Sequence, residues 1–114
     1  MSLIIERGEG EIVDGGEDMM ESQRIPLKNG EATGYYLDLG NAPLLIIQAK
    51  HGYVMCGYLN MAAANKLGDT AGRVTGVSTF EDVLNATVVE VSEHAKQRGL
   101  REGITGREFL NALL

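Results

Sequence analysis

The sequence predicts an α+β domain of small α/β type: an N-terminal antiparallel β meander followed by short helices packed on the sheet, with one further strand near residues 73–77. Three observations carry that prediction. β-prone runs separated by Gly, Asn and Pro turn signals occupy the chain from residue 23 to 56, and helix-cap pairs crowd the part after Gly57. Fifteen glycines, about twice the average share, favour turns and close backbone approaches over long helices.

Residues 1–21 are acidic and glycine-rich and read as an extension, with 3–5 and 12–13 as short edge strands; the alternative is a segment that orders only when something covers it. The meander starts at 23–27 and turns at Asn29-Gly30, a pair that tolerates the positive φ of a type I′ hairpin. The return strand is 32–39, and Pro26 suits an edge or strand-end position because it donates no ladder hydrogen bond. After Gly40-Asn41-Ala42-Pro43, the apolar run Leu44-Leu45-Ile46-Ile47 predicts a strand buried on both faces. Lys50-His51-Gly52 makes the next turn, and 53–56 the strand after it.

A helix over 60–67, rich in alanine and closed by Gly68, lies close to the sheet. Three later helix starts share the capping-box pattern: Ser78 with Glu81, Thr87 with Glu90, and Thr105 with Glu108. They predict helices near 79–84, 88–98 (closed by Gly99) and 106–113. In the second, Val88, Val91 and Ala95 form the apolar stripe, and Glu90, Glu93, His94 and Gln97 the polar one. In the third, Phe109, Leu110 and Leu113 face the core, with Gly106 on the same side permitting close contact.

Size and charge bound the function. A chain of 114 residues, 44% hydrophobic and 23% charged, supports one core as a single globular domain. A net charge of −6 without a basic stripe disfavours nucleic acid, whose affinity rests on Lys and Arg displacing counterions. No apolar run is long enough to span a bilayer. A single cysteine and the lack of a charged-then-apolar leader point to the cytoplasm. Metal-site spacings, a Walker A run and G-x-G-x-x-G are all missing, so the expectation is no metal and no nucleotide cofactor.

Two groups of residues carry candidate chemistry. Cys56 ends a strand just ahead of a helix, where the helix dipole favours thiolate, and Gly57 leaves room for a substrate. The plainer alternative is a buried cysteine packed beside Met55. His51 is no local base for it, because five residues of strand span roughly 16 Å and the odd spacing points the two side chains to opposite faces. As a turn residue, His51 is itself a candidate ligand contact. Arg73 and Arg107 follow Gly72 and Gly106, and together would bind a carboxylate or phosphate; the alternative is pairing with Asp69, Glu102 or Glu108, or with an acidic partner subunit. His94 reads as a surface residue paired with Glu90 at i, i+4 spacing.

The runs His51-Gly52-Tyr53-Val54-Met55-Cys56-Gly57, Asp69-Thr70-Ala71-Gly72-Arg73-Val74-Thr75-Gly76-Val77 and Gly103-Ile104-Thr105-Gly106-Arg107-Glu108 occur in that order. With them, the chain from about Arg24 onward resembles the YunC-like domain-of-unknown-function family of bacteria and archaea. The resemblance implies a small α/β domain whose N-terminal β region assembles a homo-tetramer, with no established activity. Three readings follow: a self-associating domain that binds a small anion, an enzyme using a Cys56 thiolate on an anionic substrate, and a purely structural assembly protein. A pocket around Cys56 with a base in reach favours the enzyme; a packed Cys56 favours the other two.

Overall fold

A computed structural model describes residues 20–114, so the strands expected at 3–5 and 12–13 lie outside the described residues. Six strands form one sheet in sequence order: β1 Met20–Leu27, β2 Gly30–Asp38, β3 Pro43–Gln48, β4 Tyr53–Met55, β5 Ala71–Arg73 and β6 Glu90–Val91. All neighbours are antiparallel except β4 and β5, which run parallel. Four short helices accompany them: α1 Met61–Leu67, α2 Phe80–Asn85, α3 Glu93–Gln97 and α4 Gly106–Asn111. The expected α+β class is the observed one. No helix among the described residues is long and apolar enough to cross a membrane.

The first hairpin closes one residue earlier than its Asn-Gly signal suggests. Leu27 pairs with Gly30, so Lys28 and Asn29 form the loop. Asn29 is held by α4: its N–H donates to Asn111 Oδ1 and its Nδ2 to the Asn111 carbonyl, both at 3.0 Å. A tertiary contact thus sets the turn position, which the dipeptide alone does not encode.

Strand alternation divides the sheet into two unlike faces. Ile25, Ala32, Leu45, Ile47 and Val54 point to one side and join Val83, Leu84, Phe109, Leu110 and Leu113 in the main core, beneath α2 and α4. Gly106 lets those two helices touch, since a Cβ there would run into the Val83 carbonyl. Met55 and Ala71 point to the opposite side and form a smaller cluster with Met61 and Ala64 of α1. β3 is therefore buried on one face only: Leu45 and Ile47 are fully buried, whereas Leu44 and Ile46 are half-buried. The expected two-sided burial fails because α1 covers only the β4–β5 end of that face.

α1 forms as its caps dictate. The Asn60 side chain accepts from the Ala62 N–H at 2.7 Å, and Gly68 ends the helix at φ 78°, a conformation that costs a residue with a side chain. Downstream, three expectations are corrected. The strand expected at 73–77 runs instead over Ala71–Arg73, parallel to β4, and the chain has left the sheet by Gly76 at φ 71°. The helix expected at 79–84 starts at Phe80 and is capped by Thr79, which accepts from Asp82; Ser78 and Glu81 do not form a capping box.

The helix expected at 88–98 is a strand followed by a helix. Val89 N–H donates to the Arg73 carbonyl at 2.9 Å, and β6 pairs with β5. Valines, stiff at χ1, suit this extended pairing better than a helix. Helix α3 begins only at Glu93, where buried Ser92 caps Ala95 and also accepts from Ala71 N–H at 2.9 Å. Val88, Val91 and Ala95 are all buried, as the stripe required, but two of them precede the helix. The Thr105–Glu108 capping box is present as expected.

Candidate functional site

The junction between β4 and α1 has a local reason for its shape. Cys56 N–H donates to the Leu45 carbonyl at 3.1 Å, continuing the ladder one residue past β4. Its own carbonyl then turns away to accept from Leu59 N–H at 3.2 Å, and Leu45 N–H donates to Cys56 Sγ at 3.3 Å in its place. The thiol sulfur thus stands in for a backbone acceptor at the end of the sheet. Cys56 is 3% exposed and belongs to the main core, on the face opposite Met55; the expected packing beside Met55 is corrected by strand alternation. A cavity of about 260 Å³ lined by Pro43, Gly57, Tyr58, Gly76 and Val77 reaches Cys56, and neither histidine lines it.

The remaining expected site residues disperse. Arg73 lies between Glu90 and the start of α1: its Nε and Nη2 each reach Glu90 Oε1 at 2.8 Å. Arg107 lies at the start of α4, with Nη2 3.1 Å from Glu81 Oε2 and 3.4 Å from Asn85 Oδ1. The partners are thus Glu90 and Glu81, not Asp69, Glu102 or Glu108; sheet pairing and helix contact set them. Gly57 and Arg73 line one cavity and Arg107 another. Gly72 lies under the Phe109 ring, where an added Cβ would come within 3.0 Å of it, and Gly106 lies against Val83. His51 is exposed in its turn, its N–H donating to the Leu113 carbonyl at 3.0 Å. His94 is exposed as expected, yet Glu90 belongs to Arg73, because residue 90 is in a strand and not one turn back on a helix.

The largest described cavity, about 520 Å³, lies elsewhere, between α1 and the less covered face of the sheet. Tyr35, Ile46, Gln48, Tyr53 and Met55 form its floor from β2, β3 and β4, and Leu59, Asn60, Ala63 and Leu67 its far wall. Register explains the floor: Tyr35 pairs with Ile46, Ile46 with Met55, and Gln48 with Tyr53. Asp69, just after the Gly68 cap, closes one end; its Oδ2 accepts from Tyr53 Oη at 2.7 Å. Burial pushes the Tyr53 phenol up to about 12, and the hydrogen bond to Asp69 and the charge of that carboxylate push the same way. Three large apolar side chains on its wall are conspicuously exposed: Tyr35 at 42%, Tyr58 at 49% and Leu67 at 76%.

Sequence reasoning passed over Tyr35, Tyr53 and Tyr58, and weighed Asp69 only as a partner for an arginine. The available signal was parity: Tyr53 and Met55 flank the core residue Val54, so they must face away from it. Among the described residues, no three His, Cys, Asp or Glu side chains come together as a metal site would require.

Fold and cavity together define a small α+β domain with one closed and one partly open sheet face. The chain belongs to the family of DUF1805, a domain of unknown function, whose sequence profile matches residues 55–113. It is 31% identical over 96 residues to the uncharacterized protein YunC of Bacillus subtilis, covering 81% of this chain and 95% of that protein. It is also similar to the crystal structure of a protein of unknown function, TA1206 from Thermoplasma acidophilum, at 45% identity and a TM-score of 0.80. That match covers 84% of this chain and 94% of the other. The three motifs read from the sequence therefore identified the family, and its described relatives carry no assigned activity.

Proposed function

We propose that this domain is a small-molecule-binding module whose site is the cavity between α1 and the partly open sheet face. The observation that supports the reading is the lining: three tyrosines and a row of aliphatic side chains around a few polar groups, in a volume suited to a small organic ligand. The anion reading through Arg73 and Arg107 ranks lower, because each guanidinium is already paired with a glutamate. The enzyme reading ranks lower still, since the Cys56 sulfur is buried and engaged by the Leu45 N–H.

Thermal melting in the presence of indole, a neutral aromatic probe, tests the module. A ligand that binds only the folded state raises the melting temperature in a saturable way. Ala63 is exposed on the cavity wall, so Ala63→Trp fills the space without disturbing the core. Wild type should show the rise and Ala63→Trp should not. An equal rise in both, or none in wild type, contradicts the proposal.

Self-association is a second reading, favoured by Leu37 and Leu44, which pair beside Tyr35 and extend the apolar strip beyond the cavity toward β1. A second copy laid on this strip would cover it and shield the exposed strand β1. The tetramer implied by the family resemblance and a cytoplasmic location belong to this reading. Tyr35→Glu should then lower the mass seen in light scattering; a monomeric wild type at micromolar concentration contradicts it.

A further inference from the structure

The charge on the cavity wall selects among ligands. Asp69 is the one carboxylate lining it, and no Lys, Arg or His side chain does. Among the described residues Asp69 takes part in no ion pair: the arginines at positions 73 and 107 are held by Glu90 and Glu81. One Asp69 oxygen accepts from Tyr53, and its other oxygen has no side-chain or backbone donor among the described residues. The carboxylate is half-buried and held in place, with hydrogen-bonding capacity left over. Tyr35, Tyr53 and Tyr58 add ring electron density, which attracts cations, and the net charge of −6 adds to the same preference.

Resting on the binding-module reading, we infer that the cavity takes a small organic cation, an amine on an apolar body, with Asp69 as counter-ion and the tyrosines and aliphatic side chains around the apolar part. This reverses the sign of the ligand expected from the arginines. An anionic ligand would have to approach an uncompensated carboxylate in a half-buried site, whereas an ammonium gains a charge-assisted hydrogen bond there.

Three probes of one shape separate the possibilities: phenethylamine, an ammonium at neutral pH; phenethyl alcohol, neutral; and hydrocinnamate, an anion. Titrations followed by side-chain NMR of Met55 and Tyr53 should give saturable shifts, with phenethylamine bound about tenfold more tightly than the alcohol and hydrocinnamate weakest. Raising the salt should narrow that preference. Asp69→Asn, which keeps the shape and an acceptor for Tyr53, should remove the amine preference while retaining alcohol binding. If the alcohol binds as tightly as the amine to wild type, or if Asp69→Asn keeps the preference, the cation inference fails and the binding module stands. If none of the three shifts these signals, both fail.

Discussion

The two faces of the sheet are built from alternate residues of the same strands, yet they do different work. Beneath α2 and α4, Leu45, Ile47, Val54, Phe109, Leu110 and Leu113 are fully excluded from water. Across the same strands, Tyr35 is 42% exposed, and Ile46 and Tyr53 are only half-covered by the seven-residue helix α1. One face therefore carries stability, while the other retains apolar surface that the fold does not consume. Contiguous exposed apolar surface of this kind marks an interaction site more often than a packing defect.

Substitutions sharpen that contrast when ordered by expected size. Phe109→Ala on the closed face removes a fully buried ring that also packs over Gly72, and should cost about 3–5 kcal/mol in chemical denaturation. A cost under about 1 kcal/mol would show that this face is not the principal core. Cys56→Ala strips the sulfur from a buried N–H of Leu45 and should cost about 1–3 kcal/mol, with slow alkylation of the wild-type thiol in the folded state. Rapid alkylation under native conditions would instead restore the reactive reading of Cys56.

On the open face the effects are smaller and more conditional. Tyr53 has a folded-state value of about 12 against an ordinary 10, so the native protein keeps a proton that the unfolded chain gives up. Its contribution is whole below pH 10 and drains away as pH rises toward 12. Wild type should thus lose more stability than Tyr53→Phe over that window in parallel denaturant melts; identical slopes would mean that neither burial nor Asp69 holds the proton on the phenol. Leu67→Lys, at a side chain 76% exposed on the cavity rim, should change stability by no more than about 0.5 kcal/mol. A large loss would place the rim within the core.

Legibility in the sequence followed the range of the interactions. Asn60 and Gly68 cap α1 through contacts a few residues away, so the Gly68 end is readable and the start is off by only the cap residue, Asn60. The Thr105–Glu108 box is equally local. The Val88–Val91 stretch carries an apolar pattern that suits either helix or strand, and only its pairing with the distant β5 decides between them. The hairpin turn moved by one residue because Asn111, more than eighty positions away, holds Asn29.

The candidate site divides the same way. That Cys56 ends a strand was legible; that its sulfur replaces a carbonyl acceptor for Leu45 was not. The cavity depends on the register of β2, β3 and β4 together with the path of α1, so Tyr35, Tyr53 and Asp69 meet only in three dimensions. Charged groups after glycines, such as Arg73 and Arg107, stand out in a sequence. Their glutamate partners, supplied by β6 and α2, were invisible there.

Side-chain methyl NMR during an indole titration tests the division between the faces most directly. Saturable shifts are expected at Ile46, Met55 and Leu59, with Leu45, Val83 and Leu110 unmoved. Shifts centred on the closed-face methyls, or none at any of the six, would contradict it.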